Sequence, residues 1–234
     1  MSIESPDPWH KTNHQEKSIP EPEFVDNPEN RCPVILLLDT SSSMSGEAIT
    51  ELNQGVKMFQ ASVREDELAS LRVEIAVITF NSEIEVVQDF VTVDKFTPKT
   101  LEASGLTHMG KAIEKALELL EKRKQDYKNS DIQYYRPWIF LITDGQPTDT
   151  WQDAAKKIEE AETNRKLLFF AVGVGDADME TLSEISVCPP KKLNGLDFQS
   201  LFKWLSASVT QVSVSKIGEK NKLPPTNAWE EMTS

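Results

Sequence analysis

The sequence predicts an α/β domain built on a doubly wound, mainly parallel sheet, with one antiparallel edge strand and helices on both faces. Three observations lead there. Short, unbroken apolar runs end in turn signals, which suits strands buried on both faces. Between them lie apolar residues at spacings of three and four, which suits helices covering such a sheet. One pair of strand-like runs stands too close together for a crossover helix.

The unbroken runs are Val34-Ile35-Leu36-Leu37-Leu38, Trp138-Ile139-Phe140-Leu141-Ile142 and Leu167-Leu168-Phe169-Phe170-Ala171-Val172. Four helical stripes accompany them. The first is Ile49, Leu52, Val56, Phe59 and Val63, and the second Ile113, Ala116, Leu117 and Leu120. The third is Trp151, Ala154, Ala155, Ile158 and Ala161, and the fourth Phe198, Leu201, Phe202, Leu205, Val209 and Val212. Only Asn81-Ser82-Glu83 separates residues 73–80 from residues 84–91, so a hairpin is expected, its outer strand forming the antiparallel edge.

Both ends read differently from the middle. Residues 1–30 hold Pro6, Pro8, Pro20, Pro22 and Pro28 among polar residues, and are expected as an extended or disordered arm. His10 and His14 have the spacing of a helical metal pair, but Pro8 and the missing apolar period favour a solvated tail. Residues 31–215 are the expected domain. Residues 216–234, with Pro224-Pro225, read as a second tail, in which Trp229 either packs back or meets a partner. Packing back is the simpler reading.

Composition narrows the function. A formal net charge of −13 provides no basic surface for phosphates and argues against a nucleic-acid partner. Most of the acids serve as solvating surface, yet carboxylates remain for a cation. Cys32 and Cys188 have no CxxC spacing, so a reducing, intracellular compartment is expected. The start, Met1-Ser2-Ile3-Glu4-Ser5-Pro6, lacks the pattern of a signal peptide, and no apolar run approaches a membrane span. The expectation is a cytoplasmic protein without membrane contact.

In an open parallel sheet, ligands gather beyond the carboxyl ends of the strands, where the chain order reverses. Asp39-Thr40-Ser41-Ser42-Ser43 follows the first strand, Thr143-Asp144-Gly145 the second run, and Gly173-Val174-Gly175-Asp176 the third. Oxygen donors with few charges suit Mg²⁺ or Mn²⁺ better than Zn²⁺. In an extended turn, residues i, i+2 and i+4 point alike, which aims Asp39, Ser41 and Ser43 at one point. Hydroxyls after a strand also cap helices, and Ser45 is placed to do so. A cap needs one such residue rather than an aspartate followed by four, but spacing alone leaves both readings open.

The pattern resembles the metal-ion-dependent adhesion site (MIDAS) of von Willebrand factor type A (vWA) domains. There, Asp-x-Ser-x-Ser follows the first strand, and a threonine and an aspartate in two later loops complete the set. Asp39, Ser41 and Ser43 match the first part. Thr107, in Ser104-Gly105-Leu106-Thr107-His108-Met109-Gly110, matches the second, and Asp144 the third. The resemblance spans about residues 33–212 and implies a Rossmann-like vWA fold. It implies that Asp39, Ser41, Ser43 and Thr107 reach a divalent ion directly or through water, and Asp144 through water. Mg²⁺ is the ion expected, with Mn²⁺ or Ca²⁺ as alternatives. It further implies that a protein partner supplies a Glu or Asp carboxylate to complete the coordination. The expectation is therefore an interaction module and not an enzyme.

Leu37-Leu38-Asp39-Thr40-Ser41-Ser42-Ser43-Met44, Val77-Ile78-Thr79-Phe80-Asn81 and Ala171-Val172-Gly173-Val174-Gly175 resemble bacterial stand-alone members of the TerY type, encoded with tellurium-resistance genes. That resemblance implies a stress-response setting with kinase or phosphatase partners. Ser42 and Leu106 stand where many members have glycine, which narrows loop freedom without removing a ligand. His108 reads as a loop residue, imidazole being a poor ligand for Mg²⁺.

The rival reading is a Mg²⁺-dependent phosphatase of the haloacid-dehalogenase type, whose nucleophilic Asp also ends an apolar strand. Gly175-Asp176-Ala177-Asp178 is similar to its later acidic motif. Such enzymes usually carry a second Asp two residues on, where this chain has Ser41, and no lysine for a phosphoryl group is identifiable. Asp176 and Asp178 read more simply as a loop and the cap of a helix holding Met179, Leu182 and Ile185.

Overall fold

In the computed structural model, which describes residues 22–231, the chain opens with α1 (Pro22–Asp26), β1 (Cys32–Asp39), α2 (Glu47–Arg64) and α3 (Glu67–Arg72). The hairpin β2 (Val73–Phe80) and β3 (Ile84–Thr92) follows, then α4 (Met109–Asn129) and β4 (Trp138–Thr143). The chain continues through α5 (Gln152–Thr163), β5 (Leu168–Gly173), α6 (Met179–Ile185), the two-residue β6 (Lys191–Lys192) and α7 (Phe198–Val214).

The strands form one sheet in the order β3-β2-β1-β4-β5-β6. Every pairing is parallel except β2 with β3. β1 explains the unbroken apolar runs, because all eight of its residues are buried. Its side chains alternate between two cores. Val34, Leu36 and Leu38 join the apolar faces of α2 and α7, whereas Ile35 and Leu37 join those of α4, α5 and α6. Burying each such Leu or Ile contributes about 1.5–3 kcal/mol before entropy is counted. The four expected stripes form α2, α4, α5 and α7, and the hairpin places β3 at the edge. Register shifts in the β2–β3 pairing bend that open edge, a form that discourages pairing with another chain.

The ends depart from expectation. Residues 22–26, read as part of an arm, form a helical turn whose Phe24 is only 3% exposed. The cause is a buried carboxylate. Glu74, at the start of β2, takes Arg31 at 2.8 Å, Arg123 at 2.7 Å and the Tyr127 hydroxyl. Phe24 covers this cluster, its ring 5.3 Å from the Arg31 guanidinium and 4.8 Å from that of Arg123. His10 and His14 lie outside the described residues.

The segment after α7, read as a tail, returns to the sheet. Trp229 packs back, as the simpler reading had it: it is 2% exposed and lies against Trp204 with ring centroids 5.5 Å apart. The Asn194 amide donates to the Trp229 carbonyl and the Glu231 amide to the Lys192 carbonyl, both at 2.8 Å. Among the described residues, no helix is long and apolar enough to cross a membrane.

Replacing Glu74 by Ala leaves the buried Arg31 guanidinium without a carboxylate and Arg123 with Glu23 alone. Chemical denaturation should show the variant about 3–5 kcal/mol less stable than wild type; a loss under 1 kcal/mol would refute this account of the cluster.

Candidate metal centre

β1 and β4 lie side by side where the strand order reverses, and their carboxyl ends carry Asp39 and Thr143-Asp144. Asp39 is completely buried. One carboxylate oxygen accepts the Ser41 backbone N–H at 2.7 Å, and the other accepts the Thr143 hydroxyl at 2.5 Å. The Ser41 and Ser43 hydroxyls are hydrogen-bonded to each other at 2.9 Å. Ser43 then donates to Asp144 Oδ1 at 2.7 Å. Asp39 and Ser41 thus form the buried floor, while Ser43 is exposed and Asp144 half-exposed above them.

The geometry of this convergence differs from the expected extended turn. Ser41 is extended (φ −68°, ψ 167°), but Ser42–Met44 curl into a 3₁₀ turn closed by the Met44 amide on the Ser41 carbonyl at 3.1 Å. Burial of Met44 in the core accounts for the curl, which returns Ser43 over Ser41. No hydroxyl of the segment caps α2. The N-cap is Gly46 at φ +83°, a left-handed position suited to glycine, and Ser45 only ends the 3₁₀ turn.

Thr107 approaches from the loop before α4. Gly105 supplies the turn with φ +77°, and its carbonyl accepts the Ser42 amide at 3.1 Å. The Ser104 amide donates to the Thr40 carbonyl at 2.8 Å, so this loop is tied to the Asp39 segment on both sides of Ser41. Thr107 itself is buried. A Cβ built on Gly145 would lie 3.2 Å from Thr107 Oγ1 and 3.7 Å from Asp39 Oδ2. Gly145 therefore borders a space shared by Asp39 and Thr107, and any side chain there would intrude on it. The five residues singled out in the sequence are brought to one rim: four are linked by hydrogen bonds, and Thr107 shares with Asp39 the space that Gly145 borders.

Burial dominates the electrostatics. It pushes the Asp39 carboxyl up to about 6, against the lowering effect of the Thr143 and Ser41 hydrogen bonds, and the nearby Asp144 adds to the rise. Burial also raises Asp144, opposed by the Ser43 hydrogen bond. None of the ion pairs among the described residues involves either aspartate. Two partly desolvated carboxylates beside three hydroxyls form a hard-oxygen donor set, which fits Mg²⁺, Mn²⁺ or Ca²⁺ by its chemistry. No cluster of three or more His, Cys, Asp or Glu side chains able to hold a metal occurs among the described residues.

Supporting residues went unnoticed in the sequence. Thr143 holds Asp39 because the β1–β4 register pairs Leu38 with Ile142 and so puts the next two residues opposite. The Thr148 hydroxyl accepts the Thr107 amide at 3.1 Å. Asp149 accepts the Gly110 and Lys111 amides at 3.0 and 2.9 Å, fixing the start of α4. A carboxylate soon after the Thr-Asp-Gly turn was the available signal, but its target lies 38 and 39 positions upstream. Asp178 caps α6 as expected, accepting the Thr181 amide at 3.1 Å and hydroxyl at 2.7 Å.

Residues 34–202 match the von Willebrand factor type A domain family. The chain belongs to that family. No curated protein sequence matches it significantly. Its fold is similar to the ArnB paralog VWA2 of Sulfolobus acidocaldarius, at 20% identity and TM-score 0.53, covering 76% of this chain and 45% of that one. It is also similar to the pilus adhesin SpaC of Lactobacillus rhamnosus GG, at 14% identity and TM-score 0.66, covering 78% and 30%. A third similar structure is proximal thread matrix protein 1 of the mussel byssus with a zinc-occupied MIDAS motif, at 17% identity and TM-score 0.52, covering 77% and 48%. The vWA chain thus spans less than half the length of each of these proteins, and the likeness at such identities is one of fold.

The raised Asp39 value gives the metal-free vWA domain a definite pH response. An acid whose folded pKa lies above its unfolded value near 3.9 aids folding at low pH, and the aid is lost as pH rises through about 6. Asp39→Asn has no such loss. Thermal unfolding in chelator should show the Asp39→Asn variant gaining on wild type between pH 4 and 7, by up to roughly 3 kcal/mol. A difference independent of pH would contradict the desolvation of Asp39.

Proposed function

We propose that this vWA domain is a metal-dependent protein-interaction module, not an enzyme. In this reading Asp39, Ser41, Ser43 and Thr107 hold a divalent cation directly or through water, and Asp144 acts through water. Mg²⁺ is the favoured ion, ahead of Mn²⁺ and Ca²⁺, because the site offers few charges and room for water. When bound, such an ion supplies a positive charge and an exchangeable coordination position. A Glu or Asp carboxylate on a protein partner then completes the coordination.

The observation that carries the proposal is the state of Asp39: fully buried, held by neutral donors alone among the described residues, and raised to about 6. A carboxylate in that condition is stabilised by a cation at the rim. Ser43 and Asp144 remain open to solvent beside it, where an incoming carboxylate has access. The zinc-occupied MIDAS motif of the mussel byssus protein supports metal occupancy in this fold. The adhesin SpaC supports an adhesive use of it. The phosphatase reading has less support, since position 41 is a serine engaged with Ser43 and Asp178 is committed to capping α6. The setting we propose is a cytoplasmic bacterial stress response of the tellurium-resistance type, with kinase or phosphatase proteins as partners. The support for it is the three TerY-like sequence segments.

Calorimetric titration with Mg²⁺, Mn²⁺ and Ca²⁺ tests the site. Asp39→Ala should abolish binding, and Gly145→Ala should weaken it about tenfold or more while leaving the fold intact. Pull-down from the native host should recover a partner with Mg²⁺ and lose it with chelator or with Asp39→Ala. Unchanged metal and partner binding in Asp39→Ala would end the proposal, and Mg²⁺-dependent phosphomonoester hydrolysis lost in Asp39→Asn would favour the rival.

A further inference from the structure

The loops beyond the carboxyl ends of the strands surround the candidate metal centre, and their charge is one-sided. Residues 40–46, 81–83, 104–108, 144–151, 174–178 and 193–197 include six carboxylates and no Lys or Arg. Three of the six serve helix starts: Asp149, Asp178 and Asp197 accept backbone amides in the first turns of α4, α6 and α7. Glu83, Asp144 and Asp176 have no such task and take part in no ion pair among the described residues. Glu83 and Asp176 are exposed, and they flank the centre on two sides. The Leu106 amide donates to the Ser82 hydroxyl at 3.0 Å, which sets the Glu83 turn against the Thr107 loop. The Val174 amide donates to the Thr143 carbonyl at 2.9 Å, which sets the Asp176 loop beside Asp144. Of the nearby lysines, Lys99 shares a groove with Glu85 and Glu102, and Lys111 lies in the first turn of α4. Bases gather at the other end of the sheet, where residues 130–137, 164–167 and 215–222 hold Arg136, Arg165, Lys166, Lys216, Lys220 and Lys222. Leu106, 54% exposed, is the one exposed large apolar residue in the loops of the metal face among the described residues. A lone exposed leucine is ordinary. This one immediately precedes Thr107, and its backbone is fixed on both sides, because the Thr107 amide donates to the Thr148 hydroxyl at 3.1 Å and the Thr148 amide to the Thr107 carbonyl at 2.9 Å.

We propose that the protein partner carries its metal-completing Glu or Asp between Lys or Arg side chains, with an apolar side chain next to it that covers Leu106. This deepens the metal-dependent reading above and rests on it. A bound divalent ion draws a carboxylate to the centre, but Glu83, Asp144 and Asp176 around it repel a surface that is acidic as a whole. Like charges set against each other suppress association, and opposite ones favour and speed it. A carboxylate flanked by cations satisfies both the ion and its rim. Specificity then has two parts: the ion selects the acid, and the rim rejects acids whose neighbours are also acidic. Leu106 adds apolar area beside the ion, which fixes the position of the residue next to the carboxylate.

Short blocked peptides serve as probes: Arg-Leu-Glu-Leu-Arg, its Asp-Leu-Glu-Leu-Asp counterpart, and Arg-Leu-Gln-Leu-Arg, which lacks the metal-completing carboxylate. Calorimetry first establishes that the full chain is saturated with Mg²⁺, and ¹⁵N chemical-shift titration then measures each peptide. At about 50 mM NaCl the arginine-flanked Glu peptide should bind about tenfold more tightly than the aspartate-flanked one, as two or three exposed charge pairs supply, and the gap should close toward about 1 M. The Gln peptide should gain nothing from Mg²⁺. Glu83→Gln combined with Asp176→Asn, both at exposed positions and neither a proposed ligand, should erase most of the preference and leave the Mg²⁺ titration unchanged. Leu106→Ser should weaken the arginine-flanked peptide about fivefold, the worth of covering half a leucine, and leave an Arg-Ala-Glu-Ala-Arg peptide unaffected. Equal affinity of the two Glu peptides for the Mg²⁺-loaded protein would overturn the proposal and leave the metal reading standing. So would a preference that survives the Glu83→Gln, Asp176→Asn pair, or binding of the arginine-flanked peptide that is unchanged in chelator. A protein that takes up no Mg²⁺ would bring down both.

Discussion

A strand buried on both faces that ends in a carboxylate is the constraint on which the rest of this structure depends. β1 is held between β2 and β4 and covered by two helical layers, so its last residue cannot reach solvent by moving. Asp39 must be accommodated where the register leaves it. Taking a carboxylate out of water costs several kcal/mol unless hydrogen bonds or a positive charge offset it. The Ser41 amide and the Thr143 hydroxyl are the local offset, and the raised pKa shows that they are insufficient.

Much of this was legible in the sequence because the governing signals are local. Apolar runs with no polar alternation identify strands with two dry faces, and the three-residue gap after Phe80 admits only a hairpin. Asp39, Ser41, Ser43 and Asp144 were legible because they follow strand ends, whereas Thr107, in the loop before α4, entered only through the family resemblance. What escaped was decided by distant partners. Nothing near Phe24 reveals that Glu74, 50 positions later, needs cover; that Trp229 packs back was expected, but nothing near it identifies Trp204 as its contact. Thr143 required the β1–β4 register, which no single strand encodes. The 3₁₀ turn at Ser42–Met44 was missed for a smaller reason: Met44 looks like one more loop residue until the core is found to claim it.

The chain contains a control for the meaning of Asp39. Glu74 is as deeply buried, and it belongs to the strand next to β1. Two guanidinium groups and a tyrosine hydroxyl meet it, so its charge is matched within the fold. That is how this protein treats a carboxylate whose task is structural. Among the described residues Asp39 has neutral donors only, and the charge that bears on it, Asp144, is of the same sign. Identical chemistry at two depths of the same sheet is thus resolved in two ways, and the unresolved one faces the rim.

The comparison of Trp204 with Trp229 follows the same logic in an apolar setting. Both indoles stand on one cavity, and the C-terminal strap that brings Trp229 into place also brings the Pro224 carbonyl that satisfies Trp204, whereas Trp229 Nε1 is buried without an acceptor among the described residues. A strap free to shift would be expected to offer Trp229 an acceptor as well, given the cost of an unpaired buried donor. It is instead tied down by backbone bonds at Asn194 and Lys192 and by the Lys191–Glu230 pair. Among the described residues, the fold thus holds a polar group short of partners at both places, but only Asp39 lies beside groups that are open to solvent.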